Sequence, residues 1–264
     1  MLARSAWSVL GGFALLVGGG LPAGAQGPID DDRTIANPSF DRSALPEATS
    51  VTDSGYRNAS GECVESSSGG SERTSSGTVT IGVQLSLDPA TCESEYLVAT
   101  YPVSDVPAKT IATFFDTRES LDALQQAKVA RAAGTFYQSL TNQYRDPLFI
   151  VVSQTFAGLQ WTTTGTCITS TNPQHSTYAY AGTGWYRTGY NTSSPWGCTP
   201  QASANTVASF ANTAFPCPGG GTTYTNHTKT MVVGYPGGGN TWSRTQSKSG
   251  ACNNLLHTNY VLFN

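Results

Sequence analysis

Apolar and polar residues alternate along Val79, Ile81, Val83, Leu85 and Leu87. A period of two is that of a strand with one buried face. Asp88-Pro89-Ala90 supplies a turn and 95–103 reads as a returning strand, so a β-hairpin is predicted here. The period then lengthens. Leu121, Val129, Ala132, Phe136 and Leu140 share one face at helical spacing, which predicts one long helix over 117–144. Asp116 or Thr117 can cap it, with Glu119 at capping-box spacing from Asp116, and Asp146-Pro147 ends it because the residue before proline avoids the α region. Such a helix is expected to pack on a sheet or to bridge two regions.

Beyond Pro147 the pattern changes to short runs rich in Thr, Asn, Ser, Gly, Tyr and Trp. Candidate strands fall at 148–156, 158–167, 176–187, 204–212, 222–233, 240–248 and 256–263. Turn-prone stretches separate them: Asn172-Pro173, 189–197, Gly219-Gly220-Gly221 and Gly237-Gly238-Gly239. Many short strands with such punctuation predict an antiparallel β-sandwich or barrel of about seven strands. The expected fold is therefore mostly β, an N-terminal hairpin plus one long helix followed by that sandwich.

The amino-terminal segment has a different character. Arg4, the apolar run from Val9 to Val17 and Ala23-Gly24-Ala25 have the layout of a secretory signal, which assigns 1–25 to a signal peptide. Residues 26–60 are polar and weakly patterned and read as a disordered lead-in; the acidic run Asp30-Asp31-Asp32 lacks the spaced ligands and turn glycine of a calcium loop. The Ser/Gly-rich stretch 66–77 reads as a flexible loop. The domain plan is thus a hairpin-and-helix region over 61–146 and a β domain over 147–264.

Charge sharpens that division. All 17 acidic residues precede Pro147, whereas 147–264 carries only Arg187, Lys229, Arg244 and Lys248. Four scattered cations are not the clustered basic footprint that binds nucleic acid, and no later run reaches the length of a membrane span. The six cysteines, Cys63, Cys92, Cys167, Cys198, Cys217 and Cys252, all follow the signal. An even count in an exported chain reads as three disulfides, with neighbour pairing 63–92, 167–198 and 217–252 the expected choice among the possible ones. With no CxxC and three dispersed histidines, neither a metal nor a cofactor is expected.

Several stretches resemble uncharacterised exported proteins of actinobacteria-like Gram-positive bacteria: Tyr144-Arg145-Asp146-Pro147, the run from Gln160 to Cys167, Gly184-Trp185, the segment from Phe210 to Cys217 and the closing run from Ser249 to Leu256. The resemblance covers roughly 88–264 and implies export and a β-rich build. It carries no activity.

The residues exclude several chemistries. The segment 147–264 has no carboxylate for a glycosidase pair or for a triad of its own. No GxSxG, HExxH, phosphate loop or dinucleotide fingerprint occurs. His175, His227 and His257 lie in Thr/Asn-rich settings that read as hydrogen-bonded or surface positions. What remains is aromatic. Trp161 and Trp185 fall within strands, where a tryptophan commonly fills the core. Trp196 and Tyr190 lie in a Gly/Ser loop, and with Trp185 and Trp242 they form the candidate ligand-binding set, since flat rings beside Asn, Thr and Ser suit sugars. The expected function is a secreted, non-catalytic binding module for a polysaccharide or cell-wall polymer. The alternatives are a structural or protein-interaction component of the cell exterior, and a secreted hydrolase whose acid comes from 61–146.

Overall fold

The alternating stretch from Val79 to Leu87 is a strand, and it lies inside the larger of two antiparallel sheets. The computed structural model describes residues 35–37, 40–71, 77–133, 135–163, 166–193, 199–217 and 219–264. Along them run β1 (Ile35–Ala36), β2 (Thr49–Ser54), β3 (Tyr56–Arg57), β4 (Cys63–Ser71), β5 (Thr78–Leu87), β6 (Glu93–Pro102), α1 (Ala108–Phe114), α2 (Arg118–Ala133), β7 (Phe136–Arg145), β8 (Val151–Thr163), β9 (Ile168–Ala179), β10 (Trp185–Ser193), β11 (Ala202–Asn212), β12 (Thr223–Gly234), β13 (Asn240–Gly250) and β14 (His257–Phe263). The large sheet has the order β2-β6-β5-β14-β7-β8-β9, with β1 beside β5; the small sheet has the order β10-β11-β12-β13-β4-β3. Both draw strands from either side of Pro147, and residues 32–264 form one unit.

The large sheet is covered on both faces. Val79, Ile81, Val83 and Leu85 of β5 join Leu97, Ala99, Tyr101, Val261 and Phe263 in a core closed by Phe114, Phe115, Ala123, Leu124, Ala127 and Ala130 of the helices. The opposite face meets the small sheet through Leu140, Ala157, Leu159, Trp161, Ala204, Val232 and Leu262, and through Tyr144, Val152, Trp185, Ala208, Phe210 and Phe215. Helix, sheet and sheet thus stack as three layers, and the structure is not a single seven-stranded sandwich.

The hairpin β5–β6 forms, but in the middle of the large sheet rather than in a separate region. The long helix does not. α2 stops at Ala133, and 136–145 becomes β7, paired with β14 on one side and β8 on the other. Phe136, Tyr137, Thr141 and Tyr144 are aromatic or β-branched, and two flanking ladders outweigh a helical spacing that Gly134 already weakens. The apolar face differs accordingly. Leu121 and Val129 are 48% and 56% exposed, while Ala123, Leu124, Ala127 and Ala130 face the sheet. Thr117 is the residue that caps α2, its Oγ1 accepting from the Ser120 amide at 3.3 Å, while Asp116 pairs with Arg145. Asp146 still makes a turn, accepting the Leu148 and Ile150 amides, but between two strands.

Further along, 240–248 and 256–263 match β13 and β14 closely, whereas 148–156 and 158–167 merge into the single strand β8 and 176–187 spans the junction of β9 and β10. Asn172-Pro173 is not a turn. Pro173 sits in β9, an edge strand of the large sheet, where a missing N–H is tolerated. The described part of the expected lead-in contains β2 and β3, and Ser66 to Ser71, expected in a loop, pair with β13 from Asn240 to Thr245. Backbone pairing needs no apolar side chain when a neighbouring strand supplies the ladder. The signal segment 1–25 and Asp30-Asp31-Asp32 lie outside the described residues.

Cys63–Cys92 and Cys217–Cys252 are bonded, as neighbour pairing predicts. Cys167 is also disulfide-bonded, and the expected pair with Cys198 lies outside the described residues. These bridges fit an oxidising, extracellular setting. No described helix is long and apolar enough to cross a membrane.

The helix register has a direct check. Leu124→Ala is expected to cost about 2–4 kcal/mol of unfolding free energy in urea, whereas Leu121→Ala stays within about 0.5 kcal/mol. Equal costs would place the expected face, not the observed one, against the sheet.

Candidate functional site

Side chains of β13 and β4 alternate, and their register sets three inward-facing pairs side by side: Gln246 with Glu65, Arg244 with Ser67, and Trp242 with Gly69. Opposite them the large sheet presents Asp53 from β2, Tyr96 from β6, Gln84 from β5, and Thr258 and Tyr260 from β14. Two glycines make room for the rings. A Cβ on Gly82 would enter the Tyr260 ring, and one on Gly69 would lie 2.9 Å from the Trp242 indole nitrogen. Trp242 therefore stacks on Tyr260, with centroids 5.9 Å apart and planes 28° apart.

Arg244 occupies the V between Tyr96 and Tyr260. Its guanidinium carbon lies 4.8 Å and 4.6 Å from the two ring centroids, and the rings are tilted by 52° to one another. The side chain is only 1% exposed. Asp53 is the nearest carboxylate, 3.6 Å from Nη2, which is an ion pair but too long for a hydrogen bond. Nε, Nη1 and Nη2 have no hydrogen-bond partner in the protein. Arg244 is part of the wall of a cleft of about 370 Å³ where the edges of the two sheets meet, together with Val51, Thr52, Asp53, Ser66, Ser67, Ser68, Tyr96, Val98 and Tyr260, and its guanidinium nitrogens are buried in that wall. Ser67 donates its hydroxyl hydrogen to Asp53 Oδ2.

Behind Tyr96 lies a second buried charge. Glu65 is 5% exposed and accepts from Gln84 (3.1 Å), Thr258 (2.8 Å), Gln246 (3.4 Å) and the Tyr96 hydroxyl. Four donors from four strands converge on one carboxylate. That is how an anion survives inside a sandwich. Lys248, further along β13, donates to the Leu256 carbonyl, and burial lowers its ammonium to about 8 against the pull of Glu65.

The expected binding set is not brought together. Trp185 is 2% exposed and packs edge-on against Phe215, so it fills the core. Tyr190 is 45% exposed on the edge strand β10, under the Arg187 guanidinium at 4.7 Å; Arg187 itself donates to Thr177 at 2.7 Å. β10 and β4 are separated by three strands of the small sheet, roughly 19 Å at the usual strand spacing. Trp242 lies one ring behind the cleft, through Tyr260. Trp196 lies outside the described residues. Arg244 was visible only as one of four dispersed cations, because the pattern that distinguishes it, an inward-facing charge on β13 opposite Ser67 and one inward pair from Glu65, needs the register with β4.

No histidine is among the residues that line the cleft. His227 is wholly buried beside Tyr144 and Phe210, its Nε2 3.3 Å from Ser153, and burial followed by the nearby Arg244 charge holds it down at about 3. His257 is held at about 3 by burial and Lys248. His175 meets Thr206 at 3.1 Å. Glu65, one of the acids of 61–146, is saturated by donors and sits behind the cleft wall. A second hollow, of about 440 Å³ by the Gly237-to-Gly239 turn, presents mainly glycines and backbone. Among the described residues no group of three His, Cys, Asp or Glu is placed to hold a metal ion.

Fold and cleft together define a class: a disulfide-bonded, two-sheet β protein with a polar cleft at its sheet edges. Beyond that class, family models, curated proteins and solved structures provide no match to the chain.

Two outcomes check this interior. Glu65→Gln places an NH₂ where donors already converge, and is expected to cost about 1–3 kcal/mol in chemical unfolding. The histidines set a pH dependence. An unfolded histidine takes up a proton below about 6.5, while His227 resists until about 3. The unfolded chain therefore binds the proton first, and stability falls as pH drops from 6.5 toward 3. His227→Gln should flatten that fall, measured by urea unfolding between pH 7.5 and 4; an unchanged slope would mean that His227 is charged in the fold.

Proposed function

We propose that this protein is an exported, non-catalytic binding module for a polysaccharide or cell-wall polymer, and that the cleft at the β2 and β4 edges is where it binds. The observation that carries the reading is the cleft itself, walled by Tyr96, Tyr260 and the Arg244 side chain held over those two rings. Around it stand Asp53 as an acceptor and the hydroxyls of Thr52, Ser66, Ser67 and Ser68 as donors or acceptors. A few fixed polar groups beside apolar ring surface are the makings of a site for a hydroxyl-rich ligand. The volume falls at the small end of ligand pockets, about 300–1,000 Å³, which suits one or two residues of a chain that continues outside. Pairing of the cysteines in an oxidising compartment and the signal-like amino terminus support export.

The module reading is preferred to a hydrolase because the cleft contains one carboxylate, Asp53, already engaged by Ser67 and Arg244. It is preferred to a purely structural role because the sheet edges leave a cleft lined by hydroxyls and aromatic rings.

Purified oxidised protein mixed with a panel of soluble and insoluble polysaccharides is expected to show saturable binding to at least one, reported by tryptophan emission through Trp242, which stacks on a ring of the cleft. Ser67→Phe should fill the cleft and weaken that binding at least tenfold while leaving thermal unfolding within a few degrees. Binding unchanged in Ser67→Phe would remove the cleft from the function and move attention to the exposed tyrosines of β10 and β12.

A further inference from the structure

Resting on that reading of the cleft, we infer that the bound chain continues along β4 into a second subsite, the hollow of about 440 Å³ at the Gly237-to-Gly239 turn, and that this subsite takes a neutral sugar ring beside Tyr235. The two hollows are neighbours on one pair of strands. Ser66, Ser67 and Ser68 of β4 and Arg244 of β13 line the cleft, whereas Gly70 and Ser71 of β4 and Asn240 and Thr241 of β13 line the hollow. Arg244 stands opposite Ser67 and Thr241 opposite Gly70, so the two lie three residues apart on the same ladder, roughly 10 Å at the usual strand rise. That is the span of a short oligosaccharide.

The path between them is open. Gly69 and Gly70 occupy the interval, both exposed and without side chains to obstruct a ligand. Beyond Val64 the edge of β4 away from β13 pairs with no strand among the described residues. Main-chain N–H and C=O groups there can serve the hydroxyls of a passing chain. Trp242 marks the midpoint: its indole nitrogen lies beneath Gly69, and its ring stacks on Tyr260 of the cleft.

The turn under the hollow is held in place before anything binds. The Trp161 indole donates to the Tyr235 carbonyl at 3.2 Å, the Tyr235 amide donates to the Gly239 carbonyl at 2.9 Å, and the Phe136 ring fills the space where Gly238 would carry a Cβ. The Tyr235 hydroxyl lies 3.4 Å from Thr241 Oγ1, which directs its ring. Little ordering is therefore left for a ligand to impose. No charged side chain lines the hollow. An aromatic ring, glycine main chain and a threonine hydroxyl suit the apolar face and the hydroxyls of a neutral sugar.

The test uses the full mature protein with intact disulfides. Its probes are cello-, xylo-, laminari- and chito-oligosaccharides from the disaccharide to the hexasaccharide, titrated calorimetrically and by tryptophan emission at low and high salt. The expected result is a series whose affinity rises at least tenfold between disaccharide and pentasaccharide, with a gain that salt does not alter. Gly237→Phe is the first variant. Gly237 is exposed, its φ is not positive and nothing lies within 4 Å of where its Cβ would stand, so a ring there obstructs the hollow without straining the turn. It is expected to erase the gain with length and leave the disaccharide unchanged, whereas Gly237→Ala, too small to fill the hollow, keeps the gain. Tyr235→Ala, checked for an unchanged thermal transition, should lose the gain as Gly237→Phe does. Affinity that is equal at every length, or a gain that survives both Gly237→Phe and Tyr235→Ala, overturns the second subsite and leaves the cleft reading standing. Loss of every length in Gly237→Phe with none in Ser67→Phe overturns the cleft and the path from it. No binding of any probe by folded protein overturns both.

Discussion

The carboxylate of Glu65 is where the two sheets are locked together. It belongs to β4 of the small sheet, yet three of its four donors, Gln84, Tyr96 and Thr258, come from β5, β6 and β14 of the large one. An ion in an apolar interior costs several kcal/mol unless its oxygens are satisfied, so any slip of one sheet over the other strands it. Apolar side chains tolerate small displacements; converging hydrogen bonds do not. The position of β4 beneath β6 and β14 follows, and with it the positions of Ser67 and Arg244 two residues further along the same ladder.

That lock also explains the character of the cleft. Tyr96 has one end in each environment: its hydroxyl serves Glu65, and its ring supports Arg244. Tyr260 does the corresponding work from β14, with Gly82 beneath it and Trp242 stacked behind it. The guanidinium is thereby held without its nitrogens being consumed. It differs in this from Arg145, whose fork is closed by Asp116 at 2.9 and 3.0 Å and by the Phe149 carbonyl. Arg145 ties the segment before α2 to the sheet; Arg244 is held in the cleft wall by two rings and an ion pair.

The layering assigns different jobs to the two faces of the large sheet. Its outer face carries the apolar alternation of β5 and the small residues of α2, a contact of ordinary hydrophobic burial. Its inner face mixes apolar sectors around Trp161 and Trp185 with the polar sector around Glu65. The helices pack on the outer face, while the polar sector borders the cleft where β2 and β4 meet.

Much of this was determined by the chain itself. The alternation from Val79 to Leu87, the turn glycines 237–239, β13 and β14 and the two described disulfide pairs are local or counting properties, and residues carry them without knowing their neighbours. The helix was legible at its start and lost at its end, since 136–145 pairs on both sides with strands far away in sequence. β4 was illegible for the same reason: Ser-Ser-Ser-Gly-Gly-Ser has no strand signal until β13 offers it a ladder. The aromatics suggested sugar recognition by their type alone; Trp185 in the core and Trp242 stacked on Tyr260 differ in burial and surroundings rather than in sequence context. Arg244, Asp53 and Tyr96 stand 43 to 191 residues apart; only the register of β13 on β4 and of β2 on β6 brings them to one cleft, since hydrogen-bond ladders between distant strands, not local preference, decide which side chains share a face.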